Sequence, residues 1–297
     1  MKSKTETLNV RKRFFFAIAS DSREHLQNIL PTDELVKELK SGGIDIFTFL
    51  ERKWCCPIAN PSKTWVKAED NVAILHLTSY DEWLKNIGKK TRNMIRKSEK
   101  GGVRTDVAKV DDKLAEGVWK IFNESPVRQG RAFPHYGVSL ETVKKNLMPL
   151  TSFTYIGSFF ENELIGFIQM LHGDRLTMIS QLLSLQKYRD KALNNALMAK
   201  AVEVCAKDSI EWVMYGRIGN HPSLDIFKES NGFTKLSLTR YFLPLSAKGR
   251  LAIRLRIHRE LKDTLPPSIK KLLFPVYSWA SRTKTRIKLK PRPKQTT

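Results

Sequence analysis

The spacing of apolar residues changes character near residue 79. Before it, short apolar runs lack a fixed period. Arg13 to Ala19 reads as a buried strand, Thr32 to Leu39 as a helix opened by Pro31-Thr32-Asp33 and closed by Gly42-Gly43, and Ile44 to Leu50 and Val72 to Leu77 as strands. These fit an incomplete α/β lobe. From Ser79 the period is helical, with Asp81 as N-cap and Leu84, Ile87, Thr91, Met94, Ile95 and Ser98 on one face until Gly101-Gly102 stops it. The other face carries Lys85, Lys89, Lys90, Arg92, Arg96 and Lys97, which makes a basic amphipathic helix.

Beyond it the pattern predicts a strand (Val103 to Val110), a helix (Leu114 to Asn123), an irregular loop SPVRQGRAFPHYG and a helix from Leu140 to Leu147. Strands follow at Phe153 to Phe159, Leu164 to His172 and Arg175 to Leu185, and the short turns Glu161-Asn162 and Gly173-Asp174 make them antiparallel hairpins. Ala192 to Ala206 is apolar on one face, hence a helix. Trp212 to Tyr215 is a buried strand, Ser223 to Glu229 a helix, and Phe233 to Leu236 with Thr239 to Leu243 a closing hairpin.

Composition is that of a globular chain: 297 residues, 41% hydrophobic, 28% charged. What departs from the ordinary is the sign, with 52 Lys plus Arg against 30 Asp plus Glu and a net charge of +22. Residues 246–297 and 85–104 hold 23 of those cations, so the charge is local and favours phosphate, acidic glycan or an anionic membrane. Cys55, Cys56 and Cys205 cannot form a disulfide framework, which points to a reducing, cytoplasmic setting. No apolar run is long enough to cross a bilayer. The six histidines show no ligand spacing, so no metal is expected.

Three motifs, taken in order, carry a resemblance. ENELIGFIQM, QKYRDKALNNALM and GNHPSLDIFKESNGF resemble the third strand, the strand-to-helix phosphate loop and the closing Asn-helix-Gly-Phe segment of the GNAT acyltransferases. Upstream, DEWLKNIGKKTRNMIRKSEKGGV resembles the Trp-Leu, Lys-Thr-Arg and Ile-Arg-Lys-x-Glu-Lys-Gly-Val run of Fem-type peptidyltransferases, which move amino acids from aminoacyl-tRNA to cell-wall precursors. The resemblance implies an α/β (α+β) fold with a GNAT-like mixed, mostly antiparallel sheet flanked by helices. It implies residues 1–102 as a reduced N-terminal lobe, 103–245 as the acyltransferase domain and 246–297 as a helical basic tail. The function implied is transfer of an acyl or aminoacyl group to an amine of a sugar, cell-envelope or surface-polysaccharide precursor. A non-catalytic RNA-binding module on the same fold is the alternative, favoured by the charge.

Acyl transfer needs a deprotonated nucleophile, N–H donors for the oxyanion and a proton for the leaving group. Glu124, at a helix end beside the cationic loop, is the candidate base, with the ion-pair partner of Arg128 or Arg131 as the competing and favoured reading. Ser184 and Tyr215 complete the candidate catalytic set. Arg128, Gln129, Arg131, His135 and Tyr136, with Arg217 after the fifth strand, are the candidate substrate contacts, since guanidinium forks recognise carboxylate or phosphate. The fold implies donor contacts from Leu183 and Leu185 and from Arg189, Lys191, Ala192, Asn194 and Asn220 around the phosphate loop. Ala192 and Asn194 stand where the family has small residues, and Phe227 where it often has a tyrosine acid. The Ala192 and Asn194 side chains crowd the diphosphate of acyl-CoA (acetyl-CoA), leaving aminoacyl-tRNA as the other donor.

In the tail, Leu251, Ile253, Leu255, Ile257 and Leu261 alternate with Arg250, Arg254, Arg256 and Arg259, and LPPSIKKLLFPVYSW adds aromatics. Residues 246–290 therefore suit an anionic membrane surface at the inner face, or a helix packed on the core.

Overall fold

In a computed structural model, the structure describes residues 7–26, 30–52, 57–147, 153–219, 221–258 and 284–288. Strand β1 (Thr7–Arg13) turns at Phe14-Phe15 into β2 (Phe16–Asp21), so the run expected as one strand is a hairpin. Helix α1 (Asp33–Ser41) is capped by Thr32, whose hydroxyl accepts the Leu35 N–H, and Gly42 ends it. Strands β3 (Ile46–Glu51) and β4 (Val66–His76) follow, the latter beginning earlier than its apolar half suggests.

The basic helix is two helices: α2 (Tyr80–Asn86), capped by Ser79 rather than Asp81, and α3 (Lys89–Lys100). The break falls at Ile87-Gly88, where Arg92 reaches back to the carbonyls of Leu84, Lys85 and Ile87 that α2 leaves open. Next come β5 (Arg104–Val107), α4 (Asp112–Asn123), a small hairpin of β6 (Val127–Arg128) and β7 (Arg131–Ala132), and α5 (Leu140–Leu147). Strands β8 (Phe153–Phe160) and β9 (Glu163–His172) meet at Glu161-Asn162, both left-handed as a two-residue hairpin turn demands. After β10 (Leu176–Ser184), a 3-10 turn (Gln186–Lys191) leads into α6 (Leu193–Lys207), β11 (Trp212–Met214) and α7 (Pro222–Ser230). The expected closing hairpin is one strand, β12 (Thr234–Pro244), extended throughout and paired with β3 from Thr239 on. Helix α8 (Ala247–Arg254) and β13 (Lys284–Lys288) complete the set; Cys55, Cys56 and residues 259–283 lie outside the described residues.

The chain divides into two compact units, residues 1–70 with 237–297, and residues 71–236. In the first unit the strands run in the order β13-β1-β2-β3-β12, with β2 and β3 parallel and the other pairs antiparallel. Its core joins Leu35 and Leu39 of α1 to Phe47, Phe49 and Tyr241. In the second unit the order is β4-β11-β10-β9-β8-β5, and β10 with β11 is the parallel pair. Antiparallel pairing therefore predominates, as expected. Residues alternating along β8 and β9 feed two apolar clusters. One takes Ile156, Ile168 and Met170 with Trp83, Ile95, Leu197 and Val202 from α2, α3 and α6. The other takes Tyr155, Ile165 and Phe167 with Val118, Ile121 and Phe122 from α4. Gly117 lets α4 come this close, since a Cβ there would stand 2.6 Å from Leu164.

Candidate active site

Strands β10 and β11 pair at three positions only, Leu176 with Trp212, Thr177 with Val213 and Met178 with Met214. Past Met178 the partners part: Tyr215 and Gly216 bond instead to Ala73, while β10 runs on to Ser184 bonded to β9 alone. Six residues of β10 are thus open on one edge, a length of about 20 Å. A bulge at Ser180 lies at the start of this stretch.

The Leu185 N–H is taken by the Ile165 carbonyl at 2.8 Å, on the β9 side. Backbone groups alternate along a strand, so Leu183 also faces β9, and Ser184 and Leu182 face the open edge. The donors expected at Leu183 and Leu185 therefore fall instead to Ser184 and Leu182. The Ser184 carbonyl, on that same edge, accepts from Arg128 Nη1 at 2.9 Å.

Arg128 also donates Nη2 to the Ile121 carbonyl at 2.6 Å and to Glu124 Oε2 at 3.0 Å, and its guanidinium lies 5.0 Å from the Phe133 ring centre. Desolvation lowers its pKa and Glu124 opposes that shift. Glu124 Oε1 in turn accepts the N–H groups of Gln186 (2.6 Å) and Lys187 (3.3 Å) at the head of the 3-10 turn. The carboxylate is held as a strut between α4 and the phosphate loop. His135 stacks on Phe122 at 4.5 Å, with Nε2 3.4 Å from Gln181 Nε2, so the cationic loop folds over α4 against β10. Gln129 sits in the turn of the small hairpin at φ 52°, and Tyr136 is half exposed. The Arg131 side chain and Asn220 lie outside the described residues.

At the phosphate loop, Ala192 adopts φ 54°, ψ 33°, the left-handed shape that glycine takes in such loops. Helix α6 then starts with no side-chain cap and no acid in its first turn, leaving its leading N–H groups for an anion. Asn194, in that turn, buries an Oδ1 with no hydrogen-bond partner. Arg189 is exposed, whereas Lys191 Nζ donates to the Gly101 carbonyl at 3.1 Å and lies 3.8 Å from the Phe160 ring centre. Beside it opens a cavity of about 570 Å³ lined by Asn93, Arg96, Lys97, Lys100, Gly101, Asp190 and Lys191. Among the described residues Arg96, Lys97 and Lys100 have no ion-pair partner, so the cleft is strongly cationic.

Lys228 was not singled out by its sequence context, where it follows Phe227 in an ordinary amphipathic helix. The fold buries it to 2% exposure, with Nζ 2.6 Å from the Arg217 carbonyl and 4.8 Å from the Tyr215 ring centre. Burial lowers its pKa, against the pull of Asp225, and pushes the Tyr215 phenol up. Tyr215 directly follows the last residue of β11 paired with β10, and Lys228 of α7 packs on its ring. Among the described residues no cluster of His, Cys, Asp and Glu could hold a metal ion, and no helix is long and apolar enough to cross a membrane.

No family model matches the chain, and no curated protein matches its sequence. Solved structures do match in fold. FemX aligns at a TM-score of 0.54 and 10% identity over 79% of this chain and 83% of its own. L-PGS from Bacillus licheniformis gives 0.54 and 14% over 84% and 86%. The C-terminal domain of a lysylphosphatidylglycerol synthetase-type protein from Agrobacterium fabrum gives 0.53 and 11% over 86% of each chain. The chain therefore shares the GNAT-like fold of these proteins.

Proposed function

We propose that this chain transfers an acyl or aminoacyl group from an anionic carrier to an amine of a sugar, cell-envelope or surface-polysaccharide precursor. The observation that carries the reading is the parting of β10 from β11, which turns a strand edge into a row of oriented donors. A donor carbonyl laid along that edge meets the Ser184 N–H. Attack by the neutral amine forms the C–N bond and an oxyanion, which that N–H and the desolvated Lys228 charge stabilise in a site of low dielectric. Collapse breaks the carbonyl's bond to the carrier, and the amine proton leaves with the carrier oxygen or sulfur. Glu124 and Arg128 fix the edge and the phosphate loop in place; Tyr215 walls the gap.

The carrier favoured is aminoacyl-tRNA. Lys89, Lys90, Arg96, Lys97 and Lys100 lie along α3 over about 16 Å, a span matching several nucleotide phosphates rather than one diphosphate. Asn194 Oδ1 is an acceptor, which repels a diphosphate at the α6 tip. Acyl-CoA is the second reading, favoured by the left-handed Ala192 and the uncapped α6 start.

The test is transfer of a radiolabelled aminoacyl group from charged tRNA, and of acetyl from acetyl-CoA, to amino-sugar and envelope-precursor acceptors. Label moving from tRNA supports the favoured reading, and label moving from acetyl-CoA alone selects the second. Salt-sensitive RNA binding without any transfer from either donor would refute the enzymatic proposal and leave the RNA-binding module.

A further inference from the structure

The turn between β1 and β2 leaves Phe14 85% and Phe15 44% exposed, with Phe14 at φ 44°. Phe14 stands in water at the hairpin tip, and Phe15 beside it is only partly covered. The pattern of the sequence placed them inside a strand; the turn sends them outward.

The tip is tied to α8. Asp45 Oδ2 accepts the Ala17 N–H at 2.8 Å, while its Oδ1 accepts the hydroxyl of Ser246, the cap of α8. Phe16 and Ile18 of β2 share one apolar cluster with Ala252 of α8, and the Phe15 ring meets Phe16 edge-on at 5.4 Å. On its outer side α8 exposes Leu251 (49%) and Leu255 (56%). Residues 8–18 and 246–258 together hold seven Lys and Arg and no Asp or Glu. Lys12, Lys248, Arg250, Arg254 and Arg256 are all exposed.

We infer that this face of the first unit docks on an anionic phospholipid bilayer. Phe14 and Phe15 enter the boundary between headgroups and acyl chains, Leu251 and Leu255 rest on it, and the surrounding cations meet lipid phosphates. Aromatic rings partition to that depth, and the exposed cations beside them complement the negative leaflet, which a neutral protein partner would not reward. The inference is independent of the transfer chemistry. It differs from the tail expectation in naming the hairpin as the inserted element.

The experiment uses the full chain and vesicles of phosphatidylcholine with and without about 30% phosphatidylglycerol. Flotation should be seen with the anionic vesicles only, and should weaken as salt rises. The double variant F14S/F15S should melt within a few degrees of the wild type, about 1 kcal/mol, since Phe14 is exposed and Phe15 only partly covered, yet bind roughly tenfold more weakly. In F14W, tryptophan emission should shift to the blue on binding and be quenched by lipids brominated in the acyl chains. Unchanged binding by F14S/F15S, an unquenched F14W, or no binding to anionic vesicles overturns the inference. So does an F14W emission already blue in buffer, which would mean that another segment of the chain covers the tip. A dimer dissolved by F14S/F15S would assign the face to a second copy instead.

Discussion

Replacing Lys228 by methionine keeps the length of the side chain and removes its charge. Were the proposed oxyanion to form about 6 Å from this ammonium, the charge would be worth about 3 kcal/mol at an effective dielectric near 20, or roughly a hundredfold in rate. Turnover of K228M should therefore fall about a hundredfold with KM little changed, because the charge acts on the oxyanion and not on the ground-state carbonyl. Stability should move the other way. Burial lowers the Lys228 pKa in the fold, so the unfolded chain holds that proton more tightly and the charge destabilises the protein at neutral pH. That penalty disappears only as pH rises above the range of an unfolded lysine. K228M should thus melt no lower than the parent at pH 7, and the parent's activity should decline on its alkaline side before an ordinary lysine would titrate. Single-turnover kinetics and calorimetry on the same preparation decide it. A K228M that turns over like the parent would sink the argument, as would one whose lost activity only tracks a lower melting temperature.

Arg128→Met removes three charge-assisted hydrogen bonds from a guanidinium only 13% exposed and leaves Glu124 with backbone N–H donors alone. It should cost about 3 kcal/mol, or roughly 6–12 °C in melting temperature, and a double-mutant cycle with Glu124→Gln should be non-additive; additivity would mean that the two side chains act separately. Ala192→Val puts a branched side chain at φ 54° and should cost about 1–2 kcal/mol by denaturant titration, whereas Ala192→Gly should be neutral within about 0.5 kcal/mol. His25 is held below its ordinary 6.5 chiefly by burial, then by Arg240 and Arg52 against Glu24 and Asp70. Its stabilising share is therefore present above that pH and lost as pH falls, so His25→Asn should flatten the decline in melting temperature between about pH 7 and pH 5.

The order of strands and helices from residue 103 to the end of α7 could be read from the sequence because each element announces itself locally. Period, caps and turn pairs such as Glu161-Asn162 depend on near neighbours, and the motifs that suggested a GNAT-like fold lie within single strand-to-helix junctions. What failed was decided at longer range. Phe14 and Phe15 look like core residues until a turn takes them out, and the basic helix looks continuous until Arg92 caps a break. The segment from Phe233 to Leu243 looks like two strands until β3 pairs with the second half. The site divides in the same way. Residue type and loop position marked Glu124 and Arg128, but their joint role as a bolt on Ser184 and the phosphate loop needed the fold. Lys228 was invisible as a buried charge because burial belongs to the packed assembly and to no property of the lysine itself. The sequence by itself determined which segments form strands and helices and where the charge lies. Only the tertiary structure decided which edge stays unpaired and which charge is stripped of water, since both depend on residues far apart in the chain meeting in space.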